Sequence, residues 1–138
     1  MYSSNILVHR NIFLSIEFDE GFEGWGWEDV DWGLRVVDEF PVFHIENTAT
    51  HLGLDYDHVL LEKYRKSGRN FSRVITRHPG ALKSSALYRA ASIISRLKIG
   101  RLTLKIASGI VRARWIPIKL RLYGLKAFRA ASCADNLQ

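Results

Sequence analysis

The sequence contains one cysteine, Cys133, so it lacks the residues for an internal disulfide framework. A single free thiol is typical of a protein in a reducing compartment. The chain also has no apolar run of the ~20 residues that a membrane-spanning helix requires. Residues 1–11 do not show the basic and then apolar order of a secretory signal. These absences predict a cytoplasmic protein, either free in solution or peripheral on the inner face of the cell membrane.

Acidic residues are almost missing from the second part of the chain. Residues 1–62 carry 13 Asp or Glu and two Arg, a net charge of −11, whereas residues 63–138 carry 18 Lys or Arg and one acid, Asp135, a net charge of +17. Such asymmetry indicates two regions with different partners. The acidic region suits metal or sugar chemistry, and the basic region suits an anionic partner.

The hydrophobic pattern predicts an α+β fold. Short strands are expected at residues 6–8, 12–16 and 42–45, together with one helix that begins at Glu28 and ends before Pro41. From Asp57 onward the pattern is helical. The prediction is therefore a front region over residues 1–56, followed by a basic helical region over residues 57–138. This second region contains three or four amphipathic helices, near residues 57–77, 84–98, 102–114 and 118–131.

The basic region contains two stripes with a seven-residue spacing. An apolar stripe flanked by a cationic stripe is what a helix on anionic lipid presents. A set of core-packed helices with solvated basic faces explains the same spacing, and both interpretations remain open. The stripes are Leu97, Leu104, Val111, Ile118 and Leu125, and, one place further on, Lys98, Lys105, Arg112, Lys119 and Lys126.

Residues 18–35 combine six carboxylates, three tryptophans and four glycines. Glycine lets the backbone turn sharply, tryptophan offers flat apolar faces, and carboxylates accept protons or bind hard cations. Glu28 and Asp29 are candidates to hold and deprotonate a substrate hydroxyl, and Trp25 and Trp27 are candidates to stack on a sugar ring. The alternative is that the acids are favourable charges in the first turn of a helix and the indoles are core.

His51 follows an expected buried strand, where its imidazole could join carboxylates around Mn²⁺ or a similar ion. His44 and His58 compete for that role. The pairs Asp29/Asp31 and Asp55/Asp57 match the three-residue DxD pattern of metal–nucleotide sites. Neither pair follows a βαβ unit, so neither is expected to bind a nucleotide.

The first 55 or so residues resemble the C-terminal catalytic half of family 2 and β-1,4-galactosyltransferase-like glycosyltransferases, which have the GT-A fold. The matching residues are Ser4, Asn5, Arg10, Phe18-Asp19-Glu20, Phe22, Gly24-Trp25-Gly26-Trp27-Glu28-Asp29, Asp31, Arg35 and His51. The resemblance implies an inverting hexosyltransferase of polysaccharide biosynthesis that uses a nucleotide-sugar donor and a saccharide acceptor. It also implies that Asp29 is the general base.

The same resemblance implies further roles for neighbouring residues. Glu28 would bind the acceptor, with Trp25, Gly26, Trp27 and Asp31 completing the substrate pocket. His51 would bind a divalent metal, Mn²⁺ or alternatively Mg²⁺.

Two departures qualify this resemblance. Glu17 stands where the family usually has glycine, and the nucleotide-binding half is not present in this sequence. We therefore expect a truncated, split or fragmentary transferase that is inactive alone, with that half, as a separate chain, among its candidate partners. The alternatives are a non-catalytic module that binds saccharide or a partner protein, and a basic nucleic-acid-binding protein. Few stacking aromatics follow residue 71, so nucleic acid is not the expected partner.

Overall fold

The computed structural model describes residues 5–50, 53 and 55–137, which form six helices and, within those ranges, no strand. None of these helices is long and apolar enough to cross a bilayer. The last four helices correspond to those expected from the sequence. The helices are α1 (Arg10–Ser15), α2 (Glu28–Glu39), α3 (Asp57–Arg77), α4 (Ala86–Arg96), α5 (Gly100–Arg112) and α6 (Ile118–Ala134).

The predicted α+β fold is wrong, because the apolar segments expected as strands do not form a sheet. The segment 12–16 lies mostly in α1, which begins where the His9 side chain accepts a hydrogen bond from the Asn11 amide at 3.2 Å. Residues 6–8 and 42–45 belong to no helix and no ladder. A short apolar run is compatible with either helix or strand, and a strand needs a neighbour to pair its backbone groups. Within the described ranges no such neighbour is present.

Helix α6 is the centre of the fold, since α3, α4 and α5 all pack against it. The second half of α6 is lined by small residues, and Ala130, Ala131, Cys133 and Ala134 are all buried there. Small side chains let neighbouring backbones approach closely. Cys133 and Ala134 join Phe71 of α3 and Ala91 of α4 in the main core cluster. Burial raises the pKa of the Cys133 thiol to about 12.

Part of the apolar stripe with seven-residue spacing lies inside the fold. Val111 is buried, and Leu104 and Leu125 pack with it against Leu61 and Phe128. Leu97, directly after the end of α4, and Ile118, the first residue of α6, are instead exposed. The spacing therefore marks mainly the contact between α5 and α6, as expected for core-packed helices.

A second cluster joins α2 to the segment before it. Ile16, Trp32 and Val36 are buried together. The Trp32 indole stacks on Phe18 with ring centroids 5.3 Å apart, and its Nε1 donates a hydrogen bond to the Ile16 carbonyl. The start of α2 is thus anchored on one side by residues 16–18, while α3 packs on the other side.

Glycine substitutions test the close contact between α3 and α6. A Cβ at Gly68 would overlap the Ser132 carbonyl oxygen, so Gly68→Ala should lower the free energy of unfolding by about 2 kcal/mol or more. Gly109 of α5 faces open space, so Gly109→Ala should raise stability by up to ~1 kcal/mol through helix propensity alone. Urea denaturation followed by circular dichroism measures both. Equal stabilities would contradict the packing of α3 on α6.

Candidate functional site

The loop before α2 has a strained backbone. Gly24 and Gly26 have φ values of 77° and 89°, and Trp27, the residue before the first turn of α2, has φ of 81°. Glycine adopts this left-handed conformation at little cost, whereas a bulky residue such as tryptophan does not. Strain of this kind costs on the order of 1–3 kcal/mol and clusters at binding and catalytic sites. The conformation of Trp27 therefore marks this loop as a candidate functional site.

Helix α3 holds the loop in its strained form. The Asn70 side-chain amide is buried and donates to the carbonyls of Glu23 and Gly26 at 3.0 and 2.9 Å. The Trp27 indole lies against Phe71, with ring centroids 4.8 Å apart, and only 8% of the residue is exposed. On α6, the Arg129 guanidinium lies 5.1 Å from the Trp27 ring. These contacts position the first turn of α2 from two other helices.

The carboxylate of Asp31, one turn into α2, is fully buried and surrounded by cationic side chains. Arg35 donates to it through Nε at 3.0 Å, and Arg77 donates through Nη1 at 2.9 and 3.1 Å. His78 Nε2 lies 3.0 Å from the same carboxylate. Several donors are what a buried charge needs to offset the loss of its hydration. Asp31 therefore links α2 to the end of α3.

Asp19, at the start of the same loop, extends this ionic network. Its carboxylate accepts from Arg73 Nη2 at 2.7 Å and from the Gly21 amide at 2.8 Å, and it lies 2.7 Å from Arg77 Nη2. The Arg73 hydrogen bond, with that of Gly21, lowers the pKa of Asp19 from 3.8 to about 2. Arg77 thus binds Asp31 and Asp19 at once, two carboxylates of residues 18–35, the acidic motif.

Glu28 and Asp29 contrast with these two acids. Among the described residues, no hydrogen bond or ion pair involves the side chain of either one. Both residues are partly buried, and the Glu28 Oε2 atom is shielded from solvent with no partner in that set. A buried acceptor without a partner costs about 1–3 kcal/mol. A ligand hydroxyl would supply the missing donor.

Aromatic and cationic groups cluster around the loop that precedes these acids. Trp25 is 41% exposed, and its ring centroid lies 5.7 Å from that of Tyr64. The Lys63 Nζ atom lies 5.6 Å from the centroid of the Trp25 ring. Arg129 lies between Tyr64 and Trp27, and its Nε is shielded from solvent with no partner among the described residues. An exposed indole next to unpartnered polar groups can bind a molecule with both apolar faces and hydroxyl groups.

The structure assigns different positions to the residues predicted from the sequence. Trp25 presents an exposed face, but Trp27 is packed in the core, so its ring is not a stacking face for sugar. The substrate-binding role expected for Asp31 does not fit, because its carboxylate is sealed and bound by Arg35, Arg77 and His78. Gly26 supports the turn through its positive φ.

His51 lies outside the described residues, so its predicted role as a metal ligand stays a prediction. Within the described ranges, no group of three or more His, Cys, Asp or Glu side chains could hold a metal ion.

Asn70, Tyr64 and Arg129 belong to the site but were not predicted from the sequence. Asn70 carries a signal, because a polar residue next to Phe71 in the buried register of an amphipathic helix needs a hydrogen-bond partner. Arg129 carries no such signal, since it is one of many cations in the basic region. Only the packing of α6 brings it to Trp27.

Comparison with protein-family models, with curated proteins and with solved structures finds no match to this chain.

The two acids on α2 should respond differently to neutralisation. Asp31→Asn replaces the charged acceptor that Arg35, Arg77 and His78 contact by a neutral amide, so it should lower the free energy of unfolding by about 2 kcal/mol or more. Asp29→Asn removes only a favourable charge at a helix start, at a cost of no more than ~1 kcal/mol. Urea denaturation of both variants measures the difference. Equal losses would make Asp29 a structural residue as well.

The low pKa of Asp19 predicts an acid-dependent loss of stability. Because its pKa in the folded protein is about 2, below its ordinary 3.8, the stabilisation from Asp19 is present above about pH 4 and is lost as the pH falls towards 2. Asp19→Asn should therefore flatten the dependence of the unfolding free energy on pH in this range. Glu20→Gln, at an exposed position next to Asp19, is the matched control. Parallel curves for the wild type and Asp19→Asn would contradict the assignment.

Proposed function

We propose that this chain is the acceptor-binding part of an inverting glycosyltransferase, with Asp29 as the general base. One observation carries the proposal. Within a single acidic motif, Asp19, Glu23 and Asp31 bind arginines, while Glu28 and Asp29 bind none of the described side chains. A position in the first turn of α2 accounts for the sign of these two charges, but it does not account for the shielded Glu28 Oε2 atom that lacks a donor.

The proposed reaction follows from the position of Asp29. Its carboxylate accepts the proton of an acceptor hydroxyl while that oxygen attacks the anomeric carbon of the donor sugar. A new C–O bond forms on one face of the sugar, and the bond to the diphosphate breaks on the opposite face. The electron pair leaves with the nucleoside diphosphate, and the configuration at the anomeric carbon is inverted.

Glu28 has a positioning role in this proposal. Its Oε2 atom is shielded from water and needs a donor, which a second hydroxyl of the acceptor sugar supplies. The exposed face of Trp25 packs against the carbon-bound hydrogens of the same ring. A hydroxyl held by Glu28 and a ring held by Trp25 fix the acceptor's orientation, which lowers the entropic part of the barrier.

The donor nucleotide requires groups beyond the described residues. Asp55 binds Lys63 at 2.7 Å, and Asp57 binds Arg121, so this DxD pair is already engaged. In the other DxD pair, Asp29/Asp31, the Asp31 carboxylate is buried away from solvent. We therefore keep the expectation that a separate nucleotide-binding chain supplies the donor site. A bound Mn²⁺ would neutralise the diphosphate leaving group, with His51 as its predicted ligand.

A non-catalytic saccharide-binding module is the second candidate. The exposed Trp25 beside Tyr64 and Lys63 favours it, because an aromatic platform binds sugar without any chemistry. The two candidates differ at Asp29, which a binding module does not need as a base.

The test is a transfer assay of this chain with a candidate nucleotide-binding chain added. Donors are a panel of UDP- and GDP-sugars, acceptors are galactose-, glucose- and N-acetylglucosamine-terminated oligosaccharides, and Mn²⁺ is present. Asp29→Asn should lower kcat by about 10²–10⁴-fold with little change in acceptor KM. Glu28→Gln should mainly raise that KM. Glu20→Gln should behave as wild type.

Two outcomes would overturn the proposal. Turnover that persists in Asp29→Asn removes Asp29 as the base. Saccharide binding that depends on Trp25, without transfer from any donor of the panel, favours the binding module.

A further inference from the structure

An apolar groove runs between α5 and α6, far along the chain from the acidic motif. It has a volume of about 440 Å³. Its walls are almost entirely carbon, and Ile106 and Leu120 on its two sides are both exposed. Gly124 lets the helices approach here, since a Cβ at this position would lie 2.9 Å from Ile110. Other lining residues are Thr103, Ile116 and Tyr123.

Exposed apolar side chains continue beyond the groove. Ile99 directly precedes α5, Leu102 lies on α5, and Ile118 and Leu122 lie on α6. Trp115, in the connection between the two helices and next to the groove residue Ile116, is 86% exposed. Large exposed apolar surfaces of this kind mark interaction sites.

Most cations of the α5–α6 region make no ion pair with a described residue, whereas most cations of α3 do, and Arg121, paired with Asp57, is the exception on α6. Five cations of α3 form ion pairs with acids of residues 19–62. By contrast, no acidic residue occurs from position 63 to 134. Six exposed cations of the α5–α6 region make no ion pair with any described residue, so their counterions must come from outside this region. They are Arg101, Lys105, Arg112, Arg114, Lys119 and Lys126.

We propose that the α5–α6 surface docks on an anionic phospholipid bilayer, with Trp115 and the groove in contact with the acyl chains. Phospholipid offers both features that this surface requires, namely anionic phosphates for the cations and hydrocarbon for the groove. Nucleic acid offers the phosphates, but it has no hydrocarbon chain to fill an aliphatic groove. Trp115 and Tyr123 are suited to the boundary between headgroups and acyl chains, where such rings concentrate.

The docking is interfacial, because no helix in the described ranges could cross the bilayer. Binding of this type gains free energy from buried apolar area and from electrostatic attraction together. Removal of either contribution should therefore weaken it, and salt should weaken the electrostatic part. The inference does not rest on the glycosyltransferase proposal, since neither Glu28 nor Asp29 lines this groove.

The first experiment is co-sedimentation of the full chain with vesicles. Vesicles of phosphatidylcholine mixed with phosphatidylglycerol should bind the chain, and vesicles of phosphatidylcholine alone should bind it far more weakly. The triple variant Lys105→Gln, Lys119→Gln, Lys126→Gln should lose about 5-fold in affinity per lysine. The matched control, Arg65→Gln, Lys83→Gln, Arg89→Gln, removes the same charge from other exposed positions and should retain most of the binding.

The second experiment tests contact with the acyl chains. Ile106→Asn combined with Leu120→Asn should weaken vesicle binding by about 10-fold or more while the helical circular dichroism is retained. The tryptophan emission of the wild type should shift to shorter wavelength on vesicles, and Trp115→Phe should abolish most of that shift. Asp29→Asn should bind vesicles as wild type, so a failure of either proposal leaves the other one testable.

Several results would overturn the docking surface. Equal binding to both kinds of vesicle, or equal losses in the two triple variants, would remove its specificity. An unchanged tryptophan spectrum would remove the contact with acyl chains. Binding to a DNA duplex without binding to vesicles would make it a nucleic-acid surface. A dimer that the Ile106/Leu120 variant dissociates, again without vesicle binding, would make it an interface between copies of this chain.

Discussion

The buried carboxylate of Asp31 is the constraint on which the front of the molecule depends. It is fully shielded, and Arg35, Arg77 and His78 surround it at 2.9 to 3.1 Å. A buried charge is tolerated only when several donors replace its hydration. Because two of these donors stand at the end of α3, Asp31 fixes α2 against α3. The loop before α2 is thereby brought to Asn70, which holds its strained backbone.

This constraint also explains why neighbouring acids have different surroundings. Residues two positions apart on a helix are separated by about 200° of rotation, so Asp29 and Asp31 point to nearly opposite sides of α2. With Asp31 turned inward to the arginines, Asp29 is turned away from them. Glu28 follows the residue with the left-handed backbone and is only partly covered. The difference between a structural acid and a candidate base therefore follows from helix geometry and one buried ionic network.

The sequence allowed prediction of the helices more reliably than of the front region. Helices α3 to α6 follow from long amphipathic periodicity, and the loop before α2 follows from the cluster of glycines. The strands were predicted wrongly, because segments 12–16 and 42–45 are too short for periodicity to decide. Trp27 was predicted as a ligand residue from the composition of residues 18–35, and Asp31 from the family resemblance. Their burial depends on α3 and α6, which are distant in the sequence.

The same reasoning applies to the basic region, because a seven-residue spacing does not show which face of a helix is buried. Val111 and its neighbours in the stripe pack into the core, and the exposed apolar groove is built from other residues such as Ile106 and Leu120. The fold likewise determines which charged side chains form ion pairs with each other. The acids of the front neutralise most cations of α3, so the positive charge that is left over lies mainly after α3 and includes the six exposed cations of the α5–α6 region.

Helix α6 therefore contributes to both surfaces, with Arg129 beside Trp27 and Leu120 in the groove. A continuous helix transmits a fixed geometry between its two ends. The proposed lipid contact would thus hold the proposed acceptor site in a defined orientation to the membrane without any moving part.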